Sequence, residues 1–217
     1  MKQLIVKRLP QGHYEAEGLP SLLDEQGVAF EKIDCVDWAD DYPYAPKVEF
    51  RIAHTDDSIL LHYRVEEGSV ASLAGHDNGR VWEDSCCEFF SVPAADGLYY
   101  NMECNCTGTL LIGAGAGREG RTLAPESVLQ SVSRWSSLGS QPFEERVGKV
   151  EWELALVIPV SAYCRSKVGS LSGQVFKANF YKCGDKLERP HFLSWNPIDI
   201  ARPDFHRPDF FGELHFR

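Results

Sequence analysis

In the run Arg80-Val81-Trp82-Glu83-Asp84-Ser85-Cys86-Cys87-Glu88-Phe89-Phe90-Ser91-Val92-Pro93, an indole and three carboxylates stand immediately before an apolar segment. A pyranose has an apolar CH face that stacks on indole and a girdle of hydroxyls that donate to carboxylate oxygens, so this combination suits a sugar. The structural alternative is a core tryptophan beside solvated loop charges. A second polar row lies downstream. Between Leu98 and Cys106, the residues Tyr99, Asn101, Glu103 and Asn105 alternate with Tyr100, Met102, Cys104 and Cys106, giving one amide-and-carboxylate face and one apolar face. If this strand neighbours the Glu88 strand in a meander, Glu88 and the Asn101/Glu103/Asn105 row share a face close to Trp82. The alternative is the wet side of an antiparallel sheet. Two of Asp84, Glu88 and Glu103 are also what a glycoside hydrolase needs, at a separation of about 5 to 9.5 Å.

The elements that must position these groups are strands. Glu88 to Val92 is strand-like and Pro93 ends its pairing, so Trp82, Glu83 and Asp84 fall on the loop that feeds it. Lys47 to Ala53 puts Val48, Phe50 and Ile52 on one face and leaves the other wet. Ser58 to Val65 follows after a turn, as the second arm of a hairpin. Glu66 to Gly79 reads as a polar loop and Gly113 to Gly120 as a flexible hairpin loop without a Walker lysine. Ser127 to Trp135 is expected to be a strand. Val150 to Ile158, with Trp152 inward, and Gln174 to Tyr181 alternate clearly. Pro159 to Tyr163 reads as one helical turn. A long loop from Ile198 to Pro208 precedes a last strand over 211–216. Residues 1–46 read as a lead-in with one or two edge strands. A short strand is expected at Cys35 to Trp38, with Trp38 over one end of the core. Many short strands without helical segments describe an all-β fold, an antiparallel β-sandwich of jelly-roll type with long loops. One domain over 1–217 is expected, with its sandwich core in 47–217.

A formal net charge of -10 and the lack of a Lys/Arg cluster disfavour nucleic acid and anionic lipid, and favour neutral or cationic partners. Seven cysteines, with a vicinal pair and a C-x-C, form no disulfide framework and no zinc spacing, so no metal ligand is named. No cofactor is expected. Calcium is left open at Asp40-Asp41 or Asp56-Asp57. The apolar run near Met1 is too short for a signal peptide, which predicts a cytoplasmic protein.

The stretch Trp82-Glu83-Asp84-Ser85-Cys86-Cys87-Glu88-Phe89-Phe90 resembles the W-E-x-D-S-V-E-I-F stretch of carbohydrate-binding module family 9, sugar-binding domains often attached to xylanases. Ser194-Trp195-Asn196-Pro197 and the segment from Phe205 to Phe216 are similar to that family's closing S-W-x-x and P-x-x-F-G-x-L pattern. The resemblance spans roughly residues 45 to 217. It implies a β-sandwich that holds the terminal sugar of a glucan or xylan chain between two tryptophans, with carboxylate, arginine and amide groups on the hydroxyls. The first tryptophan then falls at Trp82 and the carboxylate at Glu88. The family's arginine falls at about Asn101 and its second tryptophan near Phe205 or His206, two departures. The family usually works outside the cell. The expectation is therefore non-catalytic saccharide binding, linked to polysaccharide use. Trp82 would be the platform, Phe205 or His206 the opposite wall, and Glu88, Asn101 and Glu103 the hydroxyl partners. Glycoside hydrolysis by Asp84, Glu88 or Glu103 and a protein-docking sandwich stand as alternatives.

Overall fold

The computed structural model describes residues 1–217. Its strands are β1 (Gln3–Arg8), β2 (Glu31–Lys32), β3 (Lys47–His54), β4 (Ser58–Ser72), β5 (Cys86–Val92), β6 (Tyr99–Asn105) and β7 (Leu110–Gly115). They continue with β8 (Thr122–Leu123), β9 (Ser133–Ser136), β10 (Phe143–Pro159), β11 (Val175–Cys183), β12 (Phe192–Ser194) and β13 (Gly212–Phe216). Two short helices, α1 (Leu19–Glu25) and α2 (Glu126–Ser131), interrupt them. The strands pair in the order β8-β7-β6-β5-β11-β13-β1-β3-β4-β10-β9, with β12 on β11 and β2 on β3.

The sheet is mixed rather than purely antiparallel. Residues 3–6 of β1 run parallel to β13, whereas Lys7 and Arg8 run parallel to β3. One strand therefore steps from one half of the sheet to the other. A parallel neighbour needs a crossover, and α1 lies in the connection from β1 to β3. The lead-in thus supplies a central strand as well as the two-residue edge strand β2.

The two halves face each other across aromatic rings. Phe180 of β11 stacks on Phe50 of β3 with centroids 3.7 Å apart and on Phe89 of β5 at 5.0 Å, and Trp195 meets Phe50 and Phe180 edge-on. The alternation read in the sequence fills this core: Val48, Ile52, Leu61, Tyr63, Val65, Trp152, Leu154, Leu156 and Phe176 are all buried in it.

Several local expectations are corrected. The far face of the β3–β4 hairpin is not wet, because α1 covers it. There, buried Arg51 donates to Asp24, to the Pro20 carbonyl and to His62, which in turn meets Glu153 at 2.8 Å. β4 runs on to Ser72 and absorbs half of the expected loop, since Glu67 finds buried partners in Lys182 and in the Trp152 indole. Residues 126–131 are helical, with Leu129 turned into the core. Cys35 makes one isolated bridge, to Ser194. Trp38 packs beside Phe192 and Phe205 on the outer face of β5 and β11 rather than over an end of the core. Gly113 and Gly115 lie inside β7, and the hairpin turn comes after them.

Phe180 is the ring that both half-sheets share. Phe180→Ala is expected to cost about 3–5 kcal/mol, because the two flanking rings cannot both collapse into the gap. Urea unfolding would register this as a lower midpoint with an unchanged slope. A loss below about 1 kcal/mol would show that the stack is not what couples the halves.

Candidate functional site

Period two on β5 and β6 sends Phe89 and Met102 into the core and turns Glu88, Phe90, Asn101 and Glu103 to the outer face. That face floors a cavity of about 370 Å³, within the usual range for small-molecule sites of roughly 300–1,000 Å³. Trp82 enters from the turn before β5. This turn is fixed by backbone bonds from Asp185 to the Trp82 carbonyl and from Lys186 to the Glu83 carbonyl. Phe205 and His206 come from the loop before β13. All six residues singled out in the sequence, Trp82, Glu88, Asn101, Glu103, Phe205 and His206, therefore line one cavity.

Their availability differs. Trp82 and His206 are half-buried, whereas Phe205 lies flat on Tyr181 with centroids 4.1 Å apart and has that face occupied. Asn105, the last member of the predicted polar row, does not reach the cavity. Its amide bonds Ser72 and Asp84 and accepts from the backbone of Thr107 and Thr109. Asp84 is likewise structural: its oxygens accept from the backbone of Leu73 and Ala74 and from Asn105. It is corrected as a candidate acid, because both carboxylate oxygens are held in that turn.

The structure adds a cation that strand patterning did not reveal. Arg121, just before β8, donates from Nε to Asn101 Oδ1 at 2.8 Å and from Nη2 to the Tyr99 and Gly113 carbonyls, with its guanidinium 4.0 Å from the Tyr99 ring centre. Asn101 Nδ2 then donates to Glu103 Oε1 at 2.7 Å. A Cβ at Gly113 would lie 2.5 Å from Asn101 Oδ1, so glycine is what lets this relay cross β7. The Gly113 to Gly120 stretch, read as a plain loop, thus begins with the glycine this relay needs and leads directly into Arg121. Arg118 from the same hairpin pairs with Asp204 at 3.0 Å.

Glu88 and Glu103 stand directly opposite one another across β5 and β6 and are both almost fully buried. Cys183 Sγ donates to Glu88 Oε1 at 3.1 Å, and Glu103 Oε2 has no partner. Burial, together with the neighbouring Glu103 carboxyl, holds Glu88 well above the usual carboxylate range. Burial pushes Glu103 up to about 7 and Asp185, beside Glu83, up to about 6. His206 is pushed down to about 4 by burial and by Arg121. The floor is therefore a pair of buried carboxyl groups, both held toward their protonated forms. Such a pair can both accept from and donate to ligand hydroxyls.

Cys86, Glu88 and Cys183 are the one group of metal-ligating side chains whose donor atoms converge, within 4.8 Å of each other. That donor set fits a thiophilic divalent ion such as zinc. Burial pushes the Cys86 thiol up to about 12 and holds Cys183 well above the ordinary thiol range, so without an ion both keep their protons. Asp56 and Asp57, considered for calcium, are engaged by Arg8, Ser170, Ser172, Thr55 and Gln11. A larger groove of about 660 Å³ beside Arg134 and Trp135 is lined almost wholly by polar residues. Its main charges, Arg134 and Asp77, fork onto each other.

The Carbohydrate-binding family 9 model matches residues 17–216. A crystal structure of a Bacteroides uniformis ATCC 8492 protein, provisionally named as carbohydrate-binding, is 57% identical. The match covers 100% of this chain and 99% of that one with a TM-score of 0.97. Two structures of a family 9 module from Caldicellulosiruptor kristjanssonii share the fold at low identity. The cellotriose complex is 11% identical, with a TM-score of 0.63 over 100% of this chain and 94% of that one. The glucose complex is 10% identical, with a TM-score of 0.56 over 100% and 96%. No curated protein matches.

The carboxyl pair makes stability depend on pH. Glu103 titrates at about 7 in the fold against 4.5 when free, so in that interval the folded chain holds a proton that the unfolded chain has released. Stability then falls as pH rises from 4.5 through about 7. Glu103→Gln is expected to change little at pH ~4 and to stabilise by on the order of 3 kcal/mol at pH ~8. Denaturation midpoints at the two pH values would check this. An equal gap at both would place the effect in packing instead.

Proposed function

The chain belongs to carbohydrate-binding family 9, and on that premise we propose that its outer-face cavity binds a saccharide without cleaving it. The observation that carries this reading is the convergence of a half-exposed indole with a carboxyl pair, an amide and a buffered arginine in one cavity. Each part matches one feature of a sugar ring. Trp82 meets the apolar CH face, the Asn101–Glu103–Glu88 floor meets adjacent hydroxyls, and Arg121 keeps the amide turned toward Glu103.

The departures from the family pattern are compensated by other residues. The arginine expected at about position 101 is replaced by an asparagine there and by Arg121 one hairpin further on. His206, half-buried and bonded through Nδ1 to the Tyr99 hydroxyl at 2.9 Å, is a freer ring than the stacked Phe205. Cellotriose and glucose, held by the C. kristjanssonii module, make the end of a glucan chain the first ligand class to try. A role beside polysaccharide-degrading enzymes, on xylan or glucan, follows from the same premise.

The carboxyl pair also invites a glycosidase reading, but such enzymes need environments that drive two carboxyls apart, one charged and one protonated. Burial drives Glu88 and Glu103 the same way. Binding is the better fit.

Trp82→Ala is expected to weaken binding by about tenfold or more, through lost stacking and lost apolar area. Titration of intrinsic fluorescence and calorimetry with a panel of mono- and oligosaccharides would measure it, with thermal unfolding as a check that the half-exposed site tolerates the change. Undiminished affinity in the variant would remove Trp82 from the site.

A further inference from the structure

The charges around the cavity do not balance. Glu88 faces it from β5 and Glu103 from β6, and Asp185 stands at the end of β11 with Glu83 beside it. Two guanidiniums line the same space, but Arg118 is paired with Asp204. Arg121 gives its donors to Asn101 and to three backbone carbonyls. Of the remaining neighbours, His206 is neutral at ordinary pH, Cys86 and Cys183 keep their protons, and Glu119 adds another acid at the rim. Lys182 follows Tyr181 on β11 but points to the opposite face, where Glu67 takes its charge. Lys186 lies near Asp185, outside the cavity lining.

Within this acidic space Glu103 Oε2 is buried and has no hydrogen-bond partner, and Glu88 has a partner on Oε1 alone. Buried carboxyl oxygens that face a cavity without donors are acceptors that a cationic donor satisfies best. Indole and phenyl rings of Trp82 and Phe90 line the same cavity, and such faces favour cations too.

Resting on the saccharide reading above, we infer that the preferred ligand is a sugar with a free amine, bound as its ammonium ion against the Glu88–Glu103 pair. The ammonium sits over the cavity floor. Its N–H groups donate to the unpartnered carboxylate oxygens, while the ring stacks on Trp82. N-acetylation removes the charge and with it the preference.

Calorimetry with hexosamines, their N-acetyl derivatives and the parent hexoses tests this at pH ~7. Hexosamines are expected to bind about tenfold or more tighter than both neutral counterparts, as charge-assisted contacts predict. Glu103→Gln should bring the ratio of hexosamine to hexose affinity down toward one, whatever it does to affinity as a whole, and Glu88→Gln gives the same check at the partner carboxyl. Neutral hexoses binding as tightly as hexosamines would overturn the amine preference and leave the saccharide reading standing. Binding by no member of the panel would overturn both.

Discussion

Phe180 sits between Phe50 and Phe89, and the site on the far side of the sheet follows from that contact. Three rings in register fix which residues of β3, β5 and β11 look inward, and in a strand every residue beside an inward one must look outward. Glu88 and Phe90 flank Phe89, and Tyr181 flanks Phe180. The outer face would be an ordinary wet surface if nothing lay on it. Here Trp38 and the segment from Ile198 to Phe211 cover much of it with a second apolar cluster, and the carboxyl groups come to lie almost out of water. A strand pattern sets the positions, and a loop sets their chemistry.

β11 shows the same physics with two outcomes on its two faces. Inward, Lys182 meets Glu67 at 2.8 Å and His191 at 2.7 Å, and the Trp152 indole holds the other Glu67 oxygen, so a buried charge has an opposite charge and hydrogen bonds. Outward, Cys183 offers only a thiol to Glu88, and the facing Glu103 keeps one oxygen unpartnered. A compensated buried network rigidifies a fold. An uncompensated one at the floor of a cavity leaves interaction energy for a ligand to recover.

Most strands were legible because their alternation is strong: β3, β10, β11 and both faces of β6 could be written down from residue type alone. The polar face of β6 and Glu88 could be joined to Trp82 because a short turn between β5 and β6 makes them neighbours. What stayed hidden depends on distance along the chain. Nothing local marks Arg121 as a partner of Asn101, since the contact crosses β7 and requires a glycine at position 113. Nothing local separates Asn105 and Asp84, locked in a turn, from Asn101 and Glu103, one pleat away. The helix α1 shows only a short Leu19, Leu22, Leu23 spacing, too brief to outweigh the surrounding strand signals, yet it is what turns Arg51 from a solvated residue into a buried one.

The parallel placement of β1 sets an order of events during synthesis. Gln3 to Val6 are made well before their partners Glu213 to Phe216, which lie at the far end of the same domain. Until those partners emerge, β1 has one side of its backbone unpaired and the half-sheet carrying β5 and β11 is not closed. Contacts of such long separation slow folding and expose edges in the meantime. The domain therefore keeps an open sheet edge until residues 213–216 have been made, an interval in which that edge can pair with other chains.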